Sequence, residues 1–370
     1  MANAITQEER AYRAALYEVD GIGPARIQVL LNYFGSAKMV WKASESTLKE
    51  IGLPKDAVFE LGKRKNRIDP KQHLSALAKI GIRAIVPDDE EYPKLLKEID
   101  NSPQVLFVRG RFLPQDERSL AVVGTRKATP YGRDVTERLV EQLAAQHFTI
   151  VSGLARGIDG TAHRAALDSG ARTIAVMGGG VDRVYPPEHI GLAQEIAKHG
   201  AVVSEFAPGK LPVPGNFPAR NRIISGLSLG VLVIEGASQS GTKITASLAA
   251  QQGREVFAVP GPITSRQSQA PADLLKLGAK LVTDVSDILD ELPDLKDSQT
   301  GRTTSVLAVN VDALTSEERK VVELLSEGNL HIDEIVRQVD LKAPVVSATL
   351  TMLEIKGVVK QLGGMVYGRK

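Results

Sequence analysis

Two arginines and two asparagines flank one phenylalanine in Gly215-Asn216-Phe217-Pro218-Ala219-Arg220-Asn221-Arg222-Ile223-Ile224-Ser225-Gly226. A guanidinium forks onto a phosphate, and an asparagine amide reads a base edge. An aromatic ring gives an unstacked base a face to rest on. Phe217, on a short non-periodic segment between Asn216 and Pro218, reads as such a platform, with a core position as the competing reading. For the stretch as a whole the competing reading is a helix N-terminus opened by Pro218, its arginines solvated on the outer face.

Four glycine loops accompany this stretch. Gly124-Thr125-Arg126-Lys127 sets two cations beside a turn. Ser152-Gly153-Leu154-Ala155-Arg156-Gly157-Ile158-Asp159-Gly160-Thr161-Ala162-His163 opens a helix and presents N–H groups suited to an anion. Gly178-Gly179-Gly180-Val181-Asp182-Arg183-Val184-Tyr185-Pro186-Pro187 is the third. Gly236-Ala237-Ser238-Gln239-Ser240-Gly241-Thr242-Lys243 is the fourth, and it inverts the lysine–hydroxyl order that a nucleotide P-loop requires. No GxGxxG follows the first strand of this region, which speaks against a dinucleotide cofactor. Asp159 and His163 lie four apart on one helix face and could form a general-base pair, but capping or bracing a loop is the commoner role for such a pair. No other acid, base or nucleophile set stands out. The loops are suited to holding a phosphate chain, not to breaking it.

The elements that must position these loops follow from residue 119 onward. Apolar runs at 120–123, 149–152, 173–177, 201–204, 231–235, 256–259 and 280–282 alternate with helical stretches. Strands apolar at successive positions are covered on both faces, so the expected fold class is α/β, a doubly wound and mainly parallel sheet. Ligands of such sheets bind at the carboxyl ends of the strands, where the glycines fall. Strands at 82–86 and 105–108 are expected before it.

Residues 1–70 read as a small helical domain of helix-hairpin-helix or SAM-like type. Helical spacing at 9–19 and 24–34 surrounds the turn Asp20-Gly21-Ile22-Gly23-Pro24. Amides at such a turn are able to meet a nucleic-acid phosphate. The main α/β domain is expected over 71–292 and a polar linker over 293–310. Residues 311–370 read as a winged helix: helices at 315–325, 331–339 and 343–355, then a wing hairpin at 357–367 turning at Gly363-Gly364. The third helix carries no lysine or arginine before Lys356, which favours protein contact or weak duplex binding over sequence reading.

The chain has 370 residues and no cysteine, which removes disulfides, thiolate metal sites and a cysteine nucleophile. A formal net charge of +2 means that any nucleic-acid site is a local patch. The first ten residues lack signal-peptide character, and no apolar run approaches the roughly 20 residues of a membrane span. A cytoplasmic location without a membrane span is expected.

The order of Val123-Gly124-Thr125-Arg126, Ser152-Gly153-Leu154-Ala155-x-Gly157-Ile158-Asp159-x-x-Ala162-His163, Gly180-Val181-Asp182-x-x-Tyr185-Pro186, Ser204-Glu205, Phe217-Pro218-x-Arg220-Asn221-Arg222-Ile223-Ile224, Ser240-Gly241-Thr242-x-x-Thr245-Ala246 and Val259-Pro260-Gly261 closely resembles the DNA-processing protein A family, also called DprA or Smf. The resemblance spans residues 80–290. It implies an extended Rossmann-like domain that binds single-stranded DNA, protects incoming DNA and forms a homodimer through that domain. It further implies loading of the RecA recombinase during natural transformation and recombination, with no cofactor and no catalytic turnover.

Carried over by position, the resemblance implies phosphate contacts from Arg126 and from the backbone amides of Ser152, Gly153 and the turn up to Gly157. Phe217, Arg220, Asn221 and Arg222 would line the base and sugar side, and Ser240, Gly241 and Thr242 the rim. Pro187 stands where family members often carry lysine, so Lys210 or Lys243 becomes the candidate for that charge. Ala270-Pro271-Ala272 replaces a common Gly-x-Asn. Two other classes stand as alternatives. One is a nucleotide-binding enzyme of the lysine-decarboxylase-like group, whose Pro-Gly-Gly-x-Gly-Thr-x-x-Glu motif residues 235–243 do not supply. The other is a winged-helix regulator with the α/β domain as ligand sensor.

Overall fold

The computed structural model describes residues 6–292, 315–325, 330–339, 341–355, 359–361 and 365–369. Nine strands form one sheet: β1 (Arg83–Ile85), β2 (Leu106–Gly110), β3 (Ser119–Val123), β4 (Thr149–Ser152), β5 (Thr173–Val176), β6 (Ala201–Ser204), β7 (Gly230–Val233), β8 (Glu255–Ala258) and β9 (Lys280–Leu281). Their order is β1-β2-β6-β5-β4-β3-β7-β8-β9. Each lies on a stretch expected from its apolar run. β1 pairs antiparallel with β2 and β2 antiparallel with β6, while every other neighbouring pair is parallel. This mixed, extended sheet is the expected doubly wound α/β class.

Chain order and spatial order together locate the site. From β3 the chain moves outward through β4 and β5 to β6, then returns to place β7 on the other side of β3. The crossovers on either side of the β3–β7 boundary therefore diverge, and a crevice opens beyond the carboxyl ends of these two strands. β3, β4, β5, β6 and β7 are buried at every position, which is why their sequences show unbroken apolar runs.

One face of the sheet is covered by α8 (Pro130–Ala145) and α9 (Ile158–Asp168), whose Leu139, Leu143, Ile158 and Ala162 share a core with Leu120, Val122 and Ile150. The other is covered by α11 (Asn216–Gly226) and α12 (Gly241–Gln251), where Ile223, Ile224, Ala246 and Ala249 meet Val123, Val176 and Val233. Thr129 starts α8 by accepting the Gly132 N–H at 3.1 Å.

Among the described residues six helices precede β1: α1 (Gln7–Leu16), α2 (Pro24–Phe34), α3 (Ala37–Lys42), α4 (Glu45–Glu50), α5 (Lys55–Lys65) and α6 (Pro70–Lys79); α7 (Lys94–Lys97) lies between β1 and β2, and α10 (Ile190–His199) between β5 and β6. α2 opens with Pro24 and stops at Gly35, which is left-handed at φ 75°. These helices and the sheet form one compact unit, residues 1–295. Leu16, Ile27 and Trp41 share a continuous core with Phe107, Ala175 and Val202.

Residues 296–370 form a second unit. Among its described residues, the first helix (Ser316–Leu325) opens with a reciprocal cap, Thr315 N–H to Glu318 Oε2 at 3.0 Å and Glu318 N–H to Thr315 Oγ1 at 3.2 Å. Helices Ile332–Gln338 and Ala343–Ile355 follow, with a small antiparallel sheet in the order β10 (Leu330–His331), β12 (Val366–Arg369), β11 (Val359–Gln361). Val321, Ile335, Leu350 and Leu353 form its core. The expected linker at 293–310 and the wing turn at Gly363-Gly364 lie outside the described residues.

Candidate nucleic-acid interface

A cleft of about 620 Å³ opens at the β3–β7 boundary, walled by the Val123–Arg126 loop, the start of α11 and the start of α12. Seven of the sequence-derived candidates line it: Arg126, Phe217, Arg220 and Asn221 on one side, and Ser240, Gly241 and Thr242 on the other. The remaining six do not.

Arg126 is exposed, and its guanidinium carbon lies 5.3 Å from the centroid of the Phe217 ring. Among the described residues it has no carboxylate partner, so its charge is available to a ligand. The Phe217 ring is half-buried. It rests against Gly178, where an added Cβ would stand 3.0 Å from the ring, and faces Tyr185 at a centroid distance of 6.0 Å. Asn216 Nδ2 donates to Gly178 O at 3.0 Å and fixes the approach of the two segments. Phe217 is the second residue of a regular helix beginning at Asn216, not part of an irregular segment. Pro218, in the first turn, lacks only an N–H that needs no intrahelical partner.

The two arginines of α11 are not solvated on an outer face. Arg220 is 5% exposed and donates through Nη1 to Gly153 O at 2.7 Å and also to Val176 O. Burial pushes its pKa down to about 10, with Asp159 opposing the shift, so it remains charged at neutral pH. Arg220 therefore braces the ends of β4 and β5 with its donors turned inward. Arg222 is half-buried and donates from Nη2 to both oxygens of Glu205 at 2.8 and 2.7 Å.

Ser152 is fully buried, and its hydroxyl donates to Val122 O at 2.6 Å. The turn that follows was expected to offer its amides to phosphate. The N–H groups of Gly153 and Ala155 instead point to Asp159 Oδ2 at 3.2 and 3.4 Å. Burial raises the pKa of Asp159, while Arg220 and these amides pull it down. Gly157 has φ 73°, and an added Cβ would stand 2.3 Å from Thr125 O. Glycine is thus required for the second loop to reach the first.

The structure places both candidate lysines in ion pairs. Lys210 lines a neighbouring cleft beside the Asp20-Gly21 turn and pairs with Asp20, while Lys243 pairs with Asp273 at 2.6 Å. Neither presents an unpaired charge where Pro187 replaces the family's lysine. The rim residues Ser240 and Thr242 hydrogen-bond to each other at the start of α12.

His163 and Asp159 do not act on each other. Thr173 Oγ1 donates to Ile150 O at 2.8 Å and so accepts from Nδ1 of His163 at 2.7 Å. His163 is fully buried, and that burial takes its pKa down to about 3. It has no route to a group in the cleft. Among the described residues no cluster of His, Cys, Asp or Glu is arranged to hold a metal, and no helix is long and apolar enough to cross a membrane.

Tyr185 is a lining residue that the candidate set omitted. It is 42% exposed and comes from the third glycine loop, which Arg156 and Glu188 tie to the second. The Tyr185-Pro186 dipeptide was visible in the sequence as part of the motif series. What was missing was the fold that brings it to Phe217.

A family model described as DNA recombination-mediator protein A matches residues 83–293, and one described as the DprA winged helix domain matches residues 308–365. The chain is 34% identical over 402 residues to Protein Smf of Synechocystis sp., covering 100% of both chains. It is 44% identical over 222 residues to the DNA processing protein DprA of Bacillus subtilis, covering 60% of this chain and 75% of that relative. Among solved structures, the DNA processing protein A of Streptococcus pneumoniae aligns with a TM-score of 0.66 and 36% identity, covering 78% of this chain and 98% of that one. The Helicobacter pylori DNA processing protein A, described for its single-stranded DNA binding mode, aligns with a TM-score of 0.51 and 30% identity, covering 58% and 96%.

Proposed function

Because the chain belongs to the DNA recombination-mediator protein A family, whose relatives are named DprA or Smf, we propose that it binds single-stranded DNA in the Arg126–Phe217 cleft. The observation that carries this reading is the Arg126 guanidinium, without a carboxylate partner among the described residues, 5.3 Å from the half-buried Phe217 ring. A strand offers a phosphate and a base within one nucleotide. A cation beside an aromatic platform matches both, without regard to sequence. Asn221, Ser240, Gly241 and Thr242 supply polar contacts along the same cleft.

In this reading the protein is a binding protein and not an enzyme. His163 and Asp159 support it, since His163 is fully buried with its Nδ1 on Thr173 and the Asp159 carboxylate is taken up by two backbone amides. Protection of incoming DNA and loading of a RecA recombinase in transformation and recombination belong to the same proposal, which the family membership supports. So does a homodimer through the Rossmann-like domain. β9 is the last strand of the sheet, and the exposed Leu277 and Leu281 beside its edge suit a self-pairing surface. In the C-terminal unit the exposed Val345, Ser347, Ala348, Thr351 and Met352 of helix Ala343–Ile355 present no cation. That favours a protein contact or weak duplex contact there.

A gel-shift series with single-stranded, duplex and mononucleotide ligands tests the reading. Single strand should bind tightest, irrespective of sequence, and with a strong salt dependence. Preference for a duplex sequence or for a mononucleotide would overturn it.

A further inference from the structure

The Ser152–Gly157 turn has the donors of a phosphate cradle, and the protein has filled it. Two amides, Gly153 N–H and Ala155 N–H, converge on Asp159 Oδ2. An added Cβ at Gly153 would stand 2.7 Å both from that oxygen and from Nη2 of Arg220. Two amides, a buried cation and an anion thus surround one glycine, which is the composition of a bound-phosphate site with the anion supplied in cis. Asp159 is 6% exposed and lines the cleft beside Ala155 and Arg220, so its carboxylate takes up amides that an anion entering the cleft would otherwise meet.

We propose that Asp159 sets the ligand specificity of the cleft: its carboxylate occupies the place of a phosphate monoester, so that free phosphate and mononucleotides are rejected. A phosphate monoester carries about −1.5 to −2 charges near neutral pH. It needs several convergent donors, and here it meets a fixed carboxylate in a poorly solvated wall. A phosphodiester carries a single charge and is served by one exposed guanidinium, that of Arg126. The identity of the accepted ligand rests on the single-strand reading above. The rejection rests on the Asp159 geometry alone.

The test compares the full chain with Asp159→Ala, melted in inorganic phosphate, formate or chloride at matched ionic strength. Wild type should melt alike in all three. Asp159→Ala should melt lower in chloride and recover selectively in formate and phosphate, which refill the vacated donors. Adenosine 5′-monophosphate should bind the variant at least about tenfold more tightly than wild type, a difference of about 1.4 kcal/mol. Equal stabilisation of both proteins by phosphate or by the mononucleotide would overturn the proposal, as would a folded variant that gains from neither anion. If Asp159→Ala does not fold, Asp159→Asn keeps the volume and removes the charge. It should melt lower than wild type and gain nothing from phosphate, because the space stays filled. Wild-type melting in Asp159→Asn would overturn the role of the charge. Oligonucleotide binding is read separately in each protein. Its failure would sink the single-strand reading while leaving the phosphate contrast to decide the part played by Asp159.

Discussion

Arg126 and Phe217 sit together at the mouth of the cleft, guanidinium over ring, at 5.3 Å. One residue comes from the loop after β3 and the other from the start of α11, so the pair exists only because β7 returns beside β3. Each side of the pair makes a separate prediction.

Replacing Arg126 by alanine should weaken single-strand binding equally for all sequences. It should also lower the slope of log affinity against log salt by roughly 0.7, the contribution of one phosphate contact on a single strand. Melting should hardly change, because the side chain is exposed and has no ion pair among the described residues. Fluorescence anisotropy across a salt series checks this. Unchanged affinity and slope would make Arg126 a structural brace for the ring.

Replacing Phe217 by alanine should weaken single-strand binding by roughly 1–3 kcal/mol, the range for one stacked base. Leucine should recover some melting temperature and little binding, since it fills space against Gly178 but offers no ring face. A core residue would show the reverse: a stability loss of about 3–5 kcal/mol, largely restored by leucine. Melts and binding curves on the same two variants separate the outcomes.

The contrast between these two residues and their neighbours shows what was legible beforehand. The strands could be read because burial on both faces leaves continuous apolar runs, as in Leu120, Ala121, Val122 and Val123. The crevice could be placed because glycine loops follow those runs. The helix under Phe217 was legible only as the competing reading, a helix opened by Pro218, since Gly215, Pro218 and two arginines hide the spacing carried by Ile223 and Ile224. The difference between Arg126 and Arg220 could not be read from residue type either. Arg220 points inward because Gly153 O and Val176 O, from two separate strands, converge on it. That is a tertiary fact. The pairing of Lys210 with Asp20 is of the same kind, joining residues 190 apart in sequence.

Arg220 should accordingly behave as part of the framework. Arg220→Ala removes a buried cation and leaves Asp159 without its compensating charge, at a cost of roughly 3–5 kcal/mol in stability. Melting should fall before binding is examined, and loss of binding should track the fraction unfolded. A variant with normal melting and specifically lost strand binding would return Arg220 to the ligand-contacting set.

A fragment ending at Leu295 should fold cooperatively and keep most single-strand affinity. All nine strands of the large sheet and every residue of the cleft lie within that unit. Circular dichroism melts establish folding, and anisotropy with the same oligonucleotide measures binding. Loss of most affinity in a well-folded fragment would place the main contact in the C-terminal unit.

His163 should make the protein acid-sensitive in a defined window. Its folded-state pKa, pushed down to about 3 by burial, lies below the ordinary imidazole value of 6.5 that applies to the unfolded chain. Below pH 6.5 the unfolded state takes up a proton that the folded state refuses, so stability falls as pH falls. The slope is about 1.4 kcal/mol per pH unit and ends as the pH nears the folded pKa. Above 6.5 both states are neutral and the residue adds no pH dependence. Carboxylates also titrate in this range, but they do so in wild type and in His163→Gln alike. The informative quantity is therefore the difference in unfolding free energy between the two proteins, measured near neutral pH and again at about pH 5. Glutamine is expected to lose stability at neutral pH through imperfect packing against Thr173, and then to regain roughly 2 kcal/mol relative to wild type on acidification. A difference that stays constant with pH would mean that the imidazole accepts a proton within the fold, and that its burial is not what sets its titration.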